Sequence, residues 1–444
     1  MTLSVHVAGR EVATLESLDS FNCRLLYNAD VVPDDLVSLT MPVRREPWDW
    51  NDQLQPFFQM NLPEGYLLKV LQEEFGPVIG GGPMNLLSVI GRNMIGRVQV
   101  VPRGAPLDEP TRAVDVAQLL QGDNSVEAFE QLVRQHATSG VSGVVPKFLD
   151  QREVTDQDPR KKVTLFTRQH IIKGSAANLP FIALNEHLTM QVAARVLPTA
   201  RTEVSRDGQA LVVHRFDVDE AGQLKYGMED FCALLGMRPA EKYDTTWERI
   251  AKAVRDHVRG PGRQQALRHL ATQILLTHAL RNADCHAKNV ALRYTGRDDA
   301  EITPVYDMLT TAAYPDFARN PPAISLGGRK TWEPGKLLER ALLSVFNVPA
   351  REQRAIVEQI GQAIDEVAPT VRDAMAQHAG FHEIGKRMLL AWQQGMQTLL
   401  GKQVYGIGSP LLGESFRGLS DPEPVKPRRD LIGRSDLARD DPMG

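Results

Sequence analysis

The amino-acid sequence predicts an α+β protein that contains more than one domain. The chain has 444 residues, whereas an ordinary domain has about 150. Short β-prone segments with turn residues between them occupy the first part of the chain, and long helical patterns dominate the second half. Hydrophobic residues make up 42% of the chain and charged residues 24%, which is typical of globular proteins. This composition excludes collagenous, fibrous and wholly disordered classes.

The charge balance and the cysteine content exclude further classes of protein. Lys and Arg number 51 against 55 Asp and Glu, and this net charge of −4 does not favour a protein that coats nucleic acid. Cys23, Cys232 and Cys285 lie far apart, which argues against a disulfide framework or a structural zinc site. The N-terminus lacks a signal-peptide core, and no run reaches the roughly 18 apolar residues of a membrane span. We therefore expect a soluble, cytoplasmic protein.

Turn residues divide the N-terminal part into short elements. Short strands separated by Asp/Pro and Gly turns are expected, at segments such as Cys23–Tyr27, Leu36–Pro42 and Val98–Val101. Residues 65–75 place Leu67, Leu68 and Leu71 on one side, which predicts a helix. The glycine-rich segment 76–83 follows, but no Gly-Lys-Ser/Thr completes a phosphate loop. We therefore interpret this segment as a flexible connection.

The middle of the chain combines a linker, strands and a helix. Residues 103–111 are rich in Pro and charge and predict a linker, and residues 113–135 predict a helix. Strands are then expected at Val163–Thr167, His170–Lys173 and Leu211–Asp217. Among them, Asn185–Leu197 repeats apolar residues at helical spacing, which predicts an amphipathic helix that Pro198 ends.

The second half of the chain is predicted to be mostly helical. Residues 264–280 repeat apolar side chains at helical spacing, which indicates one long, buried helix. A β-hairpin follows, in which residues 290–294 alternate and residues 302–306 return. Further helices are expected at Leu337–Phe346, Glu352–Val367 and His382–Leu400. From Leu419 onward the chain is rich in Pro and charge, so we expect disorder there.

The strongest candidate site lies between the long helix and the hairpin. Asp284 and Asn289 have the D-x-x-x-x-N spacing that protein kinases use for a carboxylate base and a magnesium-binding amide. A second metal-binding carboxylate is needed just past the hairpin, and Asp307 lies there. In phosphoryl transfer the base accepts the hydroxyl proton of the substrate, and the metal neutralises phosphate charge. The alternative is a polar loop with a capping Asp.

Upstream residues provide further parts that phosphoryl transfer needs. Lys173 ends a predicted strand and can grip phosphates, and Glu186 on the next helix can pair with it. The alternative for Lys173 is an exposed lysine at a strand end. The alternative for Glu186 is a carboxylate that faces the helix dipole.

Two more segments are candidates for nucleotide contacts. Ser139–Gly143 is a short glycine loop whose backbone amides can approach phosphates, and Lys147 follows it closely. His214–Asp217 ends a strand at the position of a kinase hinge, whose backbone meets the adenine. The alternative for Phe216 is that it is a core aromatic residue. The alternative for Arg215 and Asp217 is that they form a surface ion pair.

Other chemistry-bearing residues are interpreted as structural. His269, His278 and His286 do not share one helix face, so we expect no metal site there. Cys285 has no recognisable base or oxyanion partner, so we expect no nucleophilic role. The pair Arg329–Lys330 follows a double glycine and belongs either to an activation-type segment or to ordinary surface charge.

Taken together, these segments resemble the HipA-like serine/threonine kinases, the toxins of bacterial toxin–antitoxin pairs. The matching stretches are Ser142–Lys147, Ile171–Lys173, Asn185–Glu186, His214–Asp217, Asp284–Asn289 and Val305–Met308. In the N-terminal part, Phe57–Gly65 and Ile90–Gly96 are similar to the coupling domain of that family. The resemblance runs in order from about residue 20 to about residue 400.

The resemblance implies a two-lobed, protein-kinase-like α+β fold with an additional N-terminal mixed β/α domain. It implies the coupling domain at residues 1–105, and a linker helix with the N-lobe of the kinase at residues 106–218. A mostly helical C-lobe follows at residues 219–418, and a disordered tail at residues 419–444.

The resemblance also implies roles for individual residues. By position, Asp284 is the catalytic base, Lys173 grips the phosphates of ATP, and Asn289 and Asp307 bind Mg²⁺. Nucleotide contacts are implied for Ser142, Gly143, Val144, Val145, Pro146 and Lys147 in the phosphate-facing loop, for His214, Arg215 and Phe216 at the hinge, and for His286, Lys288, Asn289, Tyr306 and Asp307.

In this family a serine in or beside the phosphate-facing loop is autophosphorylated, and the modified loop then disables ATP binding. Negative charge added among phosphate-binding groups explains that outcome. This sequence departs from the pattern, because Gly140 stands where the best-known serine lies and Val145 replaces the usual Gln. Ser142 and Ser139 are the remaining candidates for autophosphorylation.

The activity implied by the resemblance is that of an ATP- and Mg²⁺-dependent kinase toxin that modifies a translation protein such as an aminoacyl-tRNA synthetase. The implied partner is a small helix-turn-helix antitoxin of the HipB type, through which the chain meets operator DNA. No membrane contact is expected. One alternative is a small-molecule phosphotransferase, which would lack the coupling domain. The other is an inactive scaffold for antitoxin and DNA, against which the complete set of candidate site residues argues.

Overall fold

The structure, a computed structural model, describes residues 1–19, 21–51, 54–62, 68, 71, 82–107, 114–139, 163–167, 169–219, 221–407 and 413–419. Within these residues the chain forms three sheets and a set of helices. Several predicted features lie wholly or partly outside them: most of the helix at 65–75 and of the connection at 76–83, part of the linker at 103–111, the phosphate-facing loop at 142–147, and the tail beyond residue 419.

An antiparallel sheet forms the N-terminal unit. Its strands are β1 (Thr2–Val7), β2 (Arg10–Ser17), β3 (Cys23–Tyr27), β4 (Trp48–Trp50) and β5 (Val98–Pro102). Their spatial order is β4-β3-β2-β1-β5. Helices α1 (Pro56–Met60) and α2 (Pro83–Ile90) accompany the sheet, and both begin at a proline, which suits the first helical turn. Strand residues such as Val5, Leu15 and Leu25 share a core with Phe57 and Phe58.

The strand predicted at 36–42 is wrong. Within the described residues this segment makes an isolated bridge, and its backbone amides bond to side chains instead of a neighbouring strand. The amide of Val37 donates to the Tyr27 hydroxyl at 2.8 Å, and the amide of Leu39 donates to Glu229 Oε1 at 2.6 Å. Because these donors are occupied, the segment joins no sheet ladder. It connects the N-terminal unit to a later part of the chain.

Helices α3 (Val116–Gln121) and α4 (Val126–Ser139) precede the second sheet. The sequence predicts a single helix over 113–135, but the chain turns at Gly122. The Asn124 side chain donates to the carbonyls of Leu119 at 2.8 Å and of Gly122 at 3.2 Å. These bonds satisfy carbonyl groups at the end of α3, which is why the chain breaks there. Helix α4 then contributes Phe129 to the core under the sheet.

A four-stranded antiparallel sheet forms the next unit. Its strands are β6 (Val163–Phe166), β7 (His170–Gly174), β8 (Thr202–Val204) and β9 (Ala210–His214), in the order β6-β7-β9-β8. Strands β6 and β7 confirm the two strands predicted at 163–167 and 170–173, and they pair with each other. Helix α5 (Ile182–Ala194) begins before the predicted start at Asn185, so Glu186 lies in its second turn. Residues on all sides of α5 are buried, so it is a core helix and not an amphipathic surface helix.

The C-terminal unit is mostly helical. Its helices are α6 (Phe231–Leu234), α7 (Trp247–His257), α8 (Gly262–Ala279), α9 (Lys336–Phe346), α10 (Ala350–Gln377) and α11 (His382–Leu400). Helix α10 continues past its predicted end at Val367 and contains Pro369, because Val371 and Met375 keep it packed on the core. Among the described residues, no helix combines the length and the apolar character that crossing a membrane requires.

A small sheet and the buried helix α8 position the candidate site. The sheet consists of β10 (Gly227–Asp230), β11 (Ala291–Tyr294) and β12 (Glu301–Ile302), and β11 with β12 confirms the predicted hairpin. Helix α8 is buried along most of its length. Helix α11 crosses its end at Gly395, where an added Cβ atom would lie 2.1 Å from the carbonyl oxygen of Ala279. The loop between α8 and β11 therefore starts from a tightly packed crossing.

Candidate active site

Three charged side chains meet between the four-stranded sheet and the C-terminal unit. Lys173 lies in β7, Glu186 lies in α5, and Asp307 follows β12. The ammonium nitrogen of Lys173 lies 2.6 Å from Glu186 Oε1 and 2.7 Å from Asp307 Oδ1. The contact that the sequence predicts between Lys173 and Glu186 is therefore present, and Asp307 joins it from the other unit.

Burial and neighbouring charge act in opposite directions on Lys173. Burial lowers the pKa of its ammonium group, but the charges of Asp307 and Glu186 raise that pKa by more. The pKa therefore lies above its ordinary value, and the side chain is positively charged at neutral pH. The site thus contains a fixed cation between two carboxylates, which is the kind of charge that can bind phosphate oxygens.

The loop with the D-x-x-x-x-N spacing is held by its own amide groups. The amide of Asp284 donates to Asn282 Oδ1 at 3.0 Å, and the side-chain nitrogen of Asn289 donates to the carbonyl of Asp284 at 2.9 Å. A short 3-10 turn over Ala287–Asn289 then leads into β11. The backbone that carries the candidate base is therefore fixed on both sides of Asp284.

The carboxylate of Asp284 has two close neighbours. The hydroxyl of Tyr243 donates to Oδ1 at 2.7 Å, and His286 Nε2 lies 4.0 Å from the same oxygen. Burial lowers the pKa of His286 to about 4, although the charge of Asp284 opposes this, so the imidazole is neutral at pH 7. The sequence prediction misses Tyr243, because Tyr243 belongs to no motif and precedes Asp284 by 41 residues.

Asp307 has an uncommon backbone conformation. Its φ angle is +55°, in the left-handed region that side chains other than glycine rarely adopt, although Asp and Asn tolerate it best. Such a conformation costs on the order of 1 kcal/mol, and it persists only where the surrounding structure requires it. The position predicted for a metal-binding carboxylate is therefore one where the backbone is held under strain.

Asn289 and Asp307 offer oxygen ligands of the kind that Mg²⁺ prefers. Because the Asn289 nitrogen donates to the carbonyl of Asp284, the side-chain oxygen of Asn289 is the atom available to a cation. Mg²⁺ commonly takes one or two protein oxygens and completes its shell with water and phosphate oxygens. In the part of the chain that the structure describes, no group of three or more His, Cys, Asp or Glu side chains forms a metal site. These donors thus suit a magnesium ion that binds together with phosphates.

Two aromatic rings lie beside the charged groups. The ring centroids of Phe216 and Tyr306 are 5.9 Å apart, and the Tyr306 hydroxyl donates to the carbonyl of Lys288 at 2.8 Å. Burial raises the pKa of Tyr306 well above its ordinary value, so this hydroxyl stays protonated. The structure therefore brings together these three residues, which the sequence predicts to contact the nucleotide, and the nucleotide contact itself stays a prediction.

The side chains of His214 and Arg215 each contact an acidic side chain of the protein. His214 Nε2 lies 2.6 Å from Glu203 Oε1, and its ring meets His170 edge-on with centroids 4.8 Å apart. Arg215 forms an ion pair with Asp217 at 2.5 Å, and the two side chains are 2% and 3% exposed. This pair is therefore buried and is not the surface ion pair that the sequence left as an alternative. Both side chains contact protein groups, and the nucleotide contacts that the resemblance implies for these two residues stay predictions.

The phosphate-facing loop, Ser142–Lys147, lies outside the described residues, and so does Gly140. Ser139 is the last residue of α4, and its side chain is also outside the description. Nucleotide contacts by this loop and autophosphorylation at Ser142 or Ser139 therefore stay predictions from the sequence.

The residues interpreted as structural are buried. Burial raises the pKa of the Cys285 thiol to about 12, so this side chain provides no thiolate nucleophile at neutral pH. Burial also lowers the pKa of His269 and of His278 to about 4. These three side chains belong to the packed interior and not to the chemistry of the site.

Two known protein families match this chain, one in its N-terminal part and one in its C-terminal part. The family described as HipA N-terminal domain matches residues 3–101, and the family described as HipA-like C-terminal domain matches residues 139–368. A protein of Sinorhizobium fredii named "Putative kinase Y4mE" is 28% identical over 314 residues, which cover 66% of this chain and 73% of that protein. "Putative kinase Y4dM" of the same organism is 25% identical over 336 residues, which cover 70% and 78%.

A solved structure has the same fold. It is described as the complex of the Shewanella oneidensis MR-1 toxin–antitoxin system HipA, HipB and its operator DNA. A chain in it matches with a TM-score of 0.63 and 18% sequence identity, covering 88% of this chain and 97% of that chain. This likeness confirms the predicted α+β fold class.

Proposed function

Because the chain belongs to the HipA-like family, we propose that it is an ATP- and Mg²⁺-dependent serine/threonine protein kinase that acts as the toxin of a toxin–antitoxin pair. The two family matches cover its N-terminal and C-terminal parts, and the relatives carry kinase names. Family membership supports the general activity, and the geometry of the site supports the finer assignment.

The contact of Lys173 with Glu186 and Asp307 carries the proposal. A protein kinase needs a strand lysine paired with a helix glutamate, and a metal-binding aspartate within reach. In this chain the lysine lies 2.6 Å from one carboxylate and 2.7 Å from the other. The groups come from two units of the fold, as they do in a cleft between lobes.

The residues of the site can divide the chemistry among them. When bound, ATP supplies the phosphoryl group and Mg²⁺ neutralises charge on its phosphates. Asp284 accepts the proton of the substrate hydroxyl at its carboxylate. Lys173 presents its positive charge to phosphate oxygens, and Glu186 keeps the ammonium group in place. Asn289 and Asp307 would hold the metal through their side-chain oxygens.

The proposal extends to partners and substrate. The Shewanella oneidensis structure contains HipA, HipB and operator DNA, so we propose a small helix-turn-helix antitoxin of the HipB type for this chain. DNA would then be met through the antitoxin. For the substrate we propose a translation protein of the aminoacyl-tRNA synthetase class. Autophosphorylation at Ser142 or Ser139 is the proposed self-inhibiting step.

The test compares the wild type with Asp284→Asn, which keeps the shape of the side chain and removes the base. With labelled ATP, Mg²⁺ and a panel of purified aminoacyl-tRNA synthetases, we expect transfer to fall by at least about 100-fold. Asp256→Asn is the matched control, because its exposed carboxylate pairs with Lys252 on the surface of α7. Expression should arrest growth for the wild type and the control, and should be harmless for Asp284→Asn.

Other outcomes would contradict the proposal. Equal growth arrest by the wild type and Asp284→Asn would indicate a scaffold, and transfer to sugar or aminoglycoside hydroxyls alone would indicate a small-molecule phosphotransferase. Intact-mass analysis of the wild type after incubation with ATP tests autophosphorylation separately. An unmodified but active enzyme would exclude that step and leave the kinase assignment in place.

A further inference from the structure

The hydroxyl of Tyr243 lies 2.7 Å from Asp284 Oδ1 and donates a hydrogen bond to it. We propose that Tyr243 is a positioning residue that holds the Asp284 carboxylate in place for proton transfer, and that Lys330 in turn holds Tyr243. This inference rests on the proposed kinase function, and it adds the residues that orient the base.

The backbone of Asp284 is fixed by amide groups, so the orientation of its side chain depends on what reaches the carboxylate. Among the described residues, Tyr243 is the one hydrogen-bond donor to that carboxylate, and it bonds to Oδ1. Oδ2 is then the oxygen left for the hydroxyl of a substrate. A displacement of about 1 Å in a reacting group can cost about 100-fold in rate. A contact that fixes the rotation of this carboxylate therefore affects the rate directly.

Tyr243 is itself held by several contacts. Its ring meets His286 edge-on, with centroids 5.0 Å apart and an angle of 79° between the planes. The ammonium group of Lys330 donates to the carbonyl of Tyr243 at 3.0 Å. The carbonyl of Lys242 accepts from the amide of Ala287 at 3.1 Å, which ties the backbone beside Tyr243 to the loop that carries the base.

A tight turn positions this lysine. Leu326 and Arg329 exchange backbone hydrogen bonds of 3.0 and 3.1 Å. Gly327 and Gly328 between them have φ angles of +58° and +72°, the pair of left-handed residues that a two-residue type I′ turn requires. The amide of Gly327 donates to Glu248 Oε1 at 2.7 Å, which anchors the turn to α7. The double-glycine turn therefore places Lys330 where its exposed ammonium group reaches the backbone of Tyr243.

The first experiment replaces Tyr243 with Phe, which removes the hydroxyl and keeps the ring against His286. We expect kcat for protein phosphorylation to fall about 10-fold, with KM for ATP and the calorimetric affinity for ATP changed by less than about 2-fold. We expect kcat to change more than KM or the ATP affinity because the lost hydroxyl contacts the base and not the nucleotide. Tyr226→Phe is the matched control, since that partly buried ring lies 4.7 Å from the Arg293 guanidinium, outside the site.

The second experiment is a double-mutant cycle with Lys330→Met. If Lys330 acts through Tyr243, Lys330→Met alone lowers kcat by about 3-fold and has no further effect in the Tyr243→Phe background. Two losses that multiply in the double variant would overturn the link between these residues.

The outcomes separate this inference from the kinase proposal. A wild-type kcat in Tyr243→Phe would overturn the positioning role, and a higher kcat would overturn it by showing that the phenol blocks the base. If the ATP affinity or the melting temperature falls together with kcat, Tyr243 has a structural role and not a positioning role. If the kinase proposal itself fails, the wild type and Tyr243→Phe both match Asp284→Asn, with no transfer.

Discussion

The backbone amide of Gly96 donates a 2.7 Å hydrogen bond to Oδ2 of Asp217. The same carboxylate pairs with Arg215 at 2.5 Å, and both of these side chains are almost fully buried. Arg215 also donates to the carbonyl of Met94 at 3.1 Å. A buried ion pair therefore joins the N-terminal unit to the segment after β9, where the sequence predicts a hinge.

Removing one member of this pair should destabilise the protein strongly. Asp217→Asn leaves Arg215 buried without its counter-charge, which costs about 3–5 kcal/mol in unfolding free energy. Urea unfolding measures the change. Glu414→Gln is the control, because Glu414 and Arg417 form an exposed pair whose loss costs less than about 1 kcal/mol. Similar values for the two variants would contradict the structural role of the buried pair.

Replacing Lys173 should abolish most of the activity. Lys173→Met keeps the length of the side chain but removes the cation between Glu186 and Asp307, so phosphate oxygens lose their fixed positive partner. We expect ATP-dependent transfer to fall by at least about 100-fold. Lys252→Met is the control, since Lys252 pairs with Asp256 at the surface and its side chain is 76% exposed. Transfer that persists in Lys173→Met would exclude the proposed phosphate contact.

The burial of Glu229 predicts a pH dependence of stability where the N-terminal unit meets β10. Its carboxylate accepts hydrogen bonds from Ser38 Oγ at 2.8 Å, from the amide of Leu39 at 2.6 Å and from the Tyr294 hydroxyl at 2.6 Å. Burial nevertheless raises the pKa of Glu229 from 4.5 to about 7. Between these pH values the folded protein keeps a proton that the unfolded chain has lost. Stability therefore falls as the pH rises through this window.

Glu229→Gln mimics the protonated side chain and should remove this dependence. Between about pH 4 and pH 8, the titration of Glu229 is expected to lower the unfolding free energy of the wild type by on the order of 3 kcal/mol. The variant has no titrating group at this position and should not show this loss. Urea unfolding at a series of pH values measures the difference between the two curves. Glu301→Gln should keep the wild-type slope, because that carboxylate is exposed in β12 beside Arg293. Parallel curves for the wild type and Glu229→Gln would show that Glu229 does not titrate as predicted.

The crossing of α8 and α11 should tolerate no side chain at Gly395. A Cβ atom there would lie 2.1 Å from the carbonyl oxygen of Ala279, so Gly395→Ala must push the end of α8 away. We expect a loss of about 2 kcal/mol or more in unfolding free energy, and lower activity because α8 leads into the loop of Asp284.

The matched control lies at the N-terminal end of α8, away from the crossing. At Gly262 the one described atom that an added Cβ atom would meet is Val258 Cγ1, at 3.8 Å. Gly262→Ala should therefore be neutral or stabilising by up to about 1 kcal/mol. Thermal unfolding and ATP-dependent transfer, measured for both variants, check the pair. An unchanged Gly395→Ala variant would mean that the two helices can separate freely.

The sequence predicts those parts of the site that short stretches of chain encode. Lys173 ends a strand, Glu186 lies on the following helix, and the loop from Asp284 to Asn289 lies between a buried helix and a hairpin. Each of these features depends on periodicity or on turn residues within a few positions, which local patterns capture. The contact between Lys173 and Glu186 follows from the order of these elements.

Contacts between distant segments could not be predicted in this way. The hydrogen bonds from Tyr243 to Asp284 and from Gly96 to Asp217 depend on tertiary packing. The periodicity of the sequence carries no information about such contacts. The strand predicted at 36–42 is wrong for the same reason, because its amides bond to side chains that come from other parts of the chain. The domain boundaries and the chemical roles of the site residues stay predictions.

A replacement meant to silence Asp307 must also suit its backbone. Alanine at a φ angle of +55° adds conformational strain to the loss of charge, so a scan with alanine would overstate the contribution of the carboxylate. Glycine removes the strain but lets the unfolded chain gain freedom. Asparagine adopts the left-handed conformation at least as readily as aspartate, and it is the substitution that reports on the charge alone.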